Sequence, residues 1–263
     1  MSDYEPIDRP PDHPLVDLEV LEGPVGVLRL VDVDRRNALR IELSLDIESA
    51  MVRALGLGCR AIIVTAAPPV FCSGGDLDDL VAPRASLSDI ARGAEAIRAS
   101  SVPTIAAIDG AVIGAGMNLV LACDVILCTP GSIFDPRLLD LGVHPGGGQL
   151  RALAGRVGRQ GTVALSLLGD RVTGTEAAAA GLAWRCLPQA DLLDTALELA
   201  RRVASRPAEA MRRAKEALDQ TIGADHETAV RVELANQQWS IEQPWIPERV
   251  AELRERLQNR STD

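Results

Sequence analysis

Apolar positions along the chain switch repeatedly between two periods. Asp17–Leu21 and Val25–Val31 read as strands separated by a Glu22-Gly23-Pro24 turn. Leu43, Ile47, Met51 and Leu55 then recur every four residues, which predicts a helix with one apolar face. Arg60–Thr65 is a β-branched run of the kind found in strands covered on both faces. Leu87, Ile90, Ala94 and Ile97 stripe a second helix, opened by Ser86 and Asp89. Thr104–Ile108 predicts a strand, residues from about 116 to 122 a helix, and Asp124–Cys128 another strand. Ser132–Phe134 predicts a shorter strand, and Gly146-Gly147-Gly148 opens a helix through Leu153. From about residue 159 the pattern is helical, broken near Gly169, Gly181 and Pro207. Strands alternating with helices and then helices alone predict an α/β architecture. Pro6, Pro10, Pro11 and Pro14 make residues 1–14 a flexible tail, leaving a core domain over 15–200 and a helical C-terminal extension over 201–263.

Composition narrows the function. The 263 residues carry Lys+Arg 27 against Asp+Glu 37, a net charge of −10. That balance repels nucleic acid and anionic membrane surfaces. At 2% aromatic, the chain has an aliphatic core and few platforms on which bases could stack. Its five cysteines, Cys59, Cys72, Cys123, Cys128 and Cys186, form no CxxC pair. They argue against a disulfide framework or a zinc site and fit a reducing compartment. The N-terminal stretch is acidic and proline-rich, unlike a signal peptide, and no apolar run reaches bilayer-spanning length. A soluble, cytoplasmic protein without a membrane partner is the expectation. Asp76, Asp78 and Asp79 lack a histidine at ligand spacing, so they read as a solvated helix start and no metal is expected.

Two glycine-rich segments carry the candidate chemistry. Phe71-Cys72-Ser73-Gly74-Gly75-Asp76-Leu77 follows the strand over 60–65, and Asp109 through Asn118 (DGAVIGAGMN) follows the strand over 104–108. Small residues beyond strand ends let ligand atoms approach the backbone closely. Two N–H groups converging on one oxygen would stabilise an oxyanion. The run Gly114-Ala115-Gly116-Met117-Asn118-Leu119 lacks the third glycine of a dinucleotide fingerprint, and no GxSxG nucleophile turn is present.

Taken together, FCSGGDL and, some forty residues on, AIDGAVIGAGMNLVLACD resemble the crotonase superfamily, the enoyl-CoA hydratase/isomerase family. Arg35-Arg36-Asn37-Ala38-Leu39 upstream, Phe134 through Gly148 downstream, and the region from Gly169 to Ala183 support the resemblance over roughly residues 15–220. It implies repeated ββα units wound into a superhelix, C-terminal helices that mediate trimers or dimers of trimers, and an acyl-CoA thioester ligand. CoA would enter as part of the substrate, with no separate cofactor. The thioester carbonyl would sit between the N–H groups of Gly75 and Ala115, with Gly114 beside it. Arg36, Ala38, Leu39, Cys72, Ser73, Asp76 and Leu77 would contact the CoA nucleotide and pantetheine.

The resemblance also implies two catalytic glutamates, and here the sequence departs. The first falls on Asn118. The second falls on Leu138 when registered on Phe134 and Gly142, or on Arg137 when registered on Pro136. Neither register supplies a carboxylate. Asp140 is a candidate replacement, because a two-residue step on extended backbone keeps the same face. His144 lies in the loop before Pro145 and has no partner at fixed spacing. Trp239 and Trp245 are possible aromatics for the adenine, and Lys215 is the single lysine of the chain. An enzyme acting on a 2-enoyl-CoA is therefore expected. The alternatives are an acyl-CoA-binding homologue without hydratase activity, or a different crotonase reaction such as decarboxylation.

Overall fold

The computed structural model describes residues 14–260. Nearly all of the expected tail therefore lies outside the described residues. The chain forms two compact units, the first ending at Ser205 and the second beginning at Arg206.

In the first unit, β1 (Val16–Leu21) and β2 (Val25–Leu30) form an antiparallel hairpin. β2 continues into a parallel array with β3 (Ala61–Ala66), β5 (Thr104–Ile108), β7 (Val125–Cys128) and β10 (Arg185–Cys186). A smaller sheet pairs β4 (Val70–Cys72), β6 (Ala111–Ile113), β8 (Ile133–Asp135) and β9 (Val172–Thr173), of which only the last pairing is antiparallel. Each ββα repeat thus sends its first strand to the large sheet and its second to the small one, in the pairs β3/β4, β5/β6 and β7/β8. The helices that follow are α2 (Leu77–Val81) and α3 (Leu87–Arg98), then α4 (Gly116–Ala122), then α5 (Gln149–Ser166). α1 (Ile41–Gly56) follows the opening hairpin. The ββα repetition and α/β class expected from the sequence are found.

Alternation explains how the large sheet buries both faces. Leu28, Leu30, Ile62, Val64, Ala106, Ile108 and Ile126 point into one core, shared with Leu43, Ile47 and Met51 of α1 and Leu119 of α4. The intervening Val25, Val27, Ala61, Ile63, Ile105, Ala107 and Leu127 point into a second core. That face is covered by α7 (Gln189–Ala204) through Leu192, Ala196, Ala200 and Ala204. Alanine at every fourth position lets the helix axis come close to the sheet. α7 continues past residue 200, and the first unit closes only after it ends.

Several short elements depart from the pattern expected. β4 and β6 are three-residue strands embedded in the two glycine-rich segments. β9 and β10 interrupt the stretch read as helical, on either side of α6 (Gly174–Ala179). Strands this short have no period to read, and distant partners complete them. α5 begins at Gln149 and is kinked at Gly158, where φ is 68°. The second unit consists of α8 (Ala208–Thr221), α9 (His226–Ile241) and α10 (Ile246–Arg260). No helix among the described residues is long and apolar enough to cross a membrane.

α1 and α3 approach closely because Gly93 lies at their crossing. A Cβ there would stand 2.9 Å from the Ser44 carbonyl oxygen and 3.1 Å from the Ile47 Cβ. The Ser44 hydroxyl accepts the Gly93 N–H at 2.8 Å. Gly93→Ala is expected to destabilise the fold, since overpacking of about 1–3 kcal/mol exceeds the helix-propensity gain of roughly 1 kcal/mol. A urea midpoint equal to or above wild type would show that the helices part without cost.

Candidate active site

Segment 36–39 runs beside segment 73–76. The Ser73 N–H donates to the Arg36 carbonyl at 3.1 Å, Leu39 N–H to the Gly74 carbonyl at 2.7 Å, and Asp76 N–H to the Leu39 carbonyl at 3.3 Å. The resulting parallel bridge, Leu39 to Gly75, holds the first glycine turn against the upstream segment. Arg36 and Asn37 adopt left-handed φ values of 53° and 52°, and the Asn37 amide donates to the Val70 carbonyl at 3.0 Å.

The second glycine turn lies directly against the first. A Cβ on Gly75 would stand 4.0 Å from the Ala115 Cβ. A Cβ on Gly74 would stand 3.0 Å from the Ile113 carbonyl oxygen and 3.9 Å from the Ala115 nitrogen. Gly74 has φ 102°, so a side chain there would be strained as well as crowded. Among the described residues, no hydrogen bond uses the N–H of Gly75 or of Ala115. Ala115 also stands at the N-terminus of α4, where the helix dipole favours negative charge. Two free donors therefore sit side by side at a site suited to an anionic oxygen.

Around this pair the structure places three side chains. Leu138 packs over the second turn, with its Cδ2 3.5 Å from where a Gly114 Cβ would lie. Asn118 is half-buried, and its Nδ2 donates to the Gly146 carbonyl at 3.2 Å. Its Oδ1 is buried with no hydrogen-bond partner among the described residues. Gln149, 1% exposed, donates from Nε2 to the Gly114 carbonyl at 2.9 Å. Gln149 was not among the residues singled out from sequence. The one signal for it was a polar side chain directly after Gly146-Gly147-Gly148.

Residues 22–260 match the model of the family described as "Enoyl-CoA hydratase/isomerase". The chain belongs to that family. The "Probable enoyl-CoA hydratase EchA14" of Mycobacterium tuberculosis is 35% identical over 270 residues, covering 97% of this chain and all of the relative. A crystal structure of an enoyl-CoA hydratase from Bacillus anthracis superposes with a TM-score of 0.85 at 25% identity, covering 92% of this chain and 96% of that one. A Thermobifida fusca YX protein solved in complex with acetoacetyl-CoA gives a TM-score of 0.79 at 26% identity, covering 87% and 95%.

The expected contact residues differ in how far the structure leaves them open to a ligand. Cys72 ends β4 with its side chain wholly buried in the core, its sulfur 2.8 Å from where a Gly116 Cβ would lie. Its side chain packs under α4, and burial pushes its thiol up to about 11. Ala38 and Leu39 are likewise buried, and Leu39 offers the site only its backbone. Asp76 caps α2, accepting the Asp78 N–H at 2.9 Å, and pairs with Arg35 at 3.5 Å. Asp79 is 9% exposed and bonds to Arg84 at 2.6 Å, so the acidic run is not simply solvated. Ser73 stays half-buried and Leu77 is 65% exposed. Arg36 is exposed and, among the described residues, makes no ion pair.

Asp140 is corrected too. Residues Leu138–Leu141 form a 3-10 turn, so the two-residue step of an extended strand does not apply. Asp140 is exposed, and its Oδ1 lies 3.7 Å from where a Gly169 Cβ would be. Arg137 turns to the buried Asp135, with an Nε–Oδ2 distance of 2.9 Å. Hydrogen bonding to Asp135 and its charge push the Arg137 guanidinium up. Of the two registers left open by the sequence, the residue at the second glycine turn is Leu138. His144 is exposed, its Nδ1 2.8 Å from the Pro145 carbonyl. Trp239 and Trp245 stack edge to face at 5.9 Å, with the Arg213 guanidinium 4.1 Å over Trp239.

Proposed function

We propose that the chain binds an acyl-CoA thioester, directs its carbonyl oxygen between the N–H groups of Gly75 and Ala115, and acts on a 2-enoyl-CoA. The observation that carries this reading is the adjacent pair of unpaired backbone donors. Family membership and the acetoacetyl-CoA complex of the Thermobifida fusca protein support it.

The chemistry follows from charge placement. When water adds to the β carbon of a 2-enoyl thioester, the π electrons move onto the carbonyl oxygen as an enolate. Donors fixed before the reaction stabilise that charge without reorganising. The enolate then collapses as the α carbon takes a proton. Asn118, whose amide donates to the Gly146 carbonyl and whose Oδ1 is buried, has no basicity near neutral pH. Neither it nor Leu138 transfers a proton, so hydration lacks assistance worth roughly 10²–10⁴-fold per group. Leu138 at Gly114 also favours a second reading, in which the thioester is bound and hydration is lost. Calorimetry with CoA thioesters, paired with product analysis on enoyl, dienoyl, β-keto and malonyl thioesters, separates the two. Binding with turnover is the expected result, binding alone supports the second reading, and no binding overturns both.

Recognition of CoA must be local, since a net charge of −10 opposes a polyanion. The unpaired Arg36 is the group we assign to the nucleotide end. Arg36→Ala is expected to weaken CoA binding and reduce its salt dependence; a variant that binds CoA as tightly as wild type, with the same salt dependence, would remove Arg36 from this role. Assembly as a trimer or dimer of trimers is supported by the family resemblance and by Val250, Leu253 and Leu257 on α10, 39%, 53% and 55% exposed. Sedimentation at the monomer mass would contradict it. Five cysteines free of disulfides support a cytoplasmic location.

A further inference from the structure

The two donor peptides are anchored differently. In a trans peptide the C=O of one residue and the N–H of the next point in opposite directions within one plane. Whatever holds the Gly74 carbonyl therefore aims the Gly75 N–H, and whatever holds the Gly114 carbonyl aims the Ala115 N–H. The Gly74 carbonyl is held by the backbone of Leu39 at 2.7 Å, a bond that no side-chain substitution removes. The Gly114 carbonyl accepts the Gln149 side chain at 2.9 Å and the Met117 N–H, longer, at 3.2 Å.

We infer that Gln149 is a positioning residue for the oxyanion-binding pair, its amide fixing the Gly114–Ala115 peptide so that the Ala115 N–H faces the thioester oxygen. Gly114 has φ 50° and no side chain, so its peptide has little intrinsic reason to keep one orientation. Its N–H is pinned by the Asp135 carbonyl at 2.8 Å, which fixes the preceding peptide but not this one. Donation into the Gly114 carbonyl also polarises the peptide and strengthens its N–H as a donor. Packing alone does not account for glutamine here. Its Oε1 is buried without a hydrogen-bond partner, a penalty that an apolar side chain of similar size would not incur. The inference rests on the proposed function, because it concerns the same oxyanion site.

The test reads donor strength without requiring turnover. Cinnamoyl-CoA, whose conjugated thioester absorbs further to the red as its carbonyl is polarised, is bound to wild type, Gln149→Leu and Gln149→Glu. Wild type is expected to red-shift the chromophore at every pH from 6 to 9. Gln149→Leu is expected to lose more than half of that shift while still binding the ligand. In Gln149→Glu only the protonated acid donates to the Gly114 carbonyl, so its shift is expected to fall as pH rises. Asp135, Arg137, Asp140 and His144, the titratable side chains on the turns leading into α5, are common to all three proteins, so the wild-type trace subtracts them. On a turned-over enoyl thioester, kcat in Gln149→Leu is expected to drop more than about tenfold, short of the 10²–10³ of a deleted donor, with KM little changed. A full, pH-independent shift in both variants would overturn the inference. A wild-type protein that binds the probe without shifting it would overturn the oxyanion reading itself, and the wild-type spectrum alone tells that failure apart. Should Gln149→Leu not fold, the pH trace of Gln149→Glu carries the test within one protein.

Discussion

Ala115→Pro is expected to lower turnover of a 2-enoyl-CoA by about 10²–10³-fold, the cost of one deleted oxyanion donor. The substitution removes the N–H and puts the ring Cδ where its hydrogen pointed, so the thioester oxygen loses that donor. Ala115 already stands at φ −65°, proline's own angle, at the start of a helix where proline is tolerated. The usual clash with the Cβ of the preceding residue is absent because that residue is Gly114. An interaction made only in the transition state lowers kcat and kcat/KM together, so KM is expected to change little. Circular dichroism and CoA affinity check that the fold and the nucleotide contacts survive. A variant that retains turnover within threefold of wild type would mean that the Ala115 N–H does not meet the developing charge.

The second large effect is a gain. Asn118→Glu combined with Leu138→Glu is expected to speed hydration by at least about 10²–10⁴-fold, the worth of general acid–base assistance from one group. Leu138 lies at Gly114, and the Asn118 Oδ1 is buried and unpartnered, so both new carboxyls would face the thioester. Burial raises a carboxyl toward neutrality, which suits proton transfer at physiological pH. Arg137 is occupied by Asp135 and does not neutralise its new neighbour. Each single variant, measured beside the double, apportions the gain between the two positions. A double variant that folds and binds the thioester yet hydrates no faster would mean that these positions do not face the reacting carbons.

Much of this was legible in the sequence because the physics is local. The β-branched runs of β2, β3, β5 and β7 face two cores at once, and the Ser86 cap of α3 is written in neighbouring residues, its hydroxyl accepting the Asp89 N–H at 3.1 Å. The two glycine-rich segments stood out because close backbone approach requires small residues, whereas Gly75 and Ala115 within them were named from the family resemblance. What escaped depends on distant partners. Cys72 lies two residues before Gly74 in sequence, but as the last residue of β4 it turns its sulfur into the core. Whether Leu138, Arg137 or Asp140 faced the site depended on a 3-10 turn that has no apolar period. The role of Gln149 escaped beyond its place after the three glycines, since its partner carbonyl lies 35 residues earlier in the chain. Composition alone could not reveal that Arg36, within a chain of net charge −10, is exposed and makes no ion pair among the described residues.

The most direct test of the central claim is a crystal structure of the chain with an acyl-CoA thioester bound. The account predicts a carbonyl oxygen within about 2.7–3.1 Å of both the Gly75 and the Ala115 nitrogen, with Leu138 and Asn118 beside the α and β carbons. A thioester carbonyl bonded to neither nitrogen would contradict it.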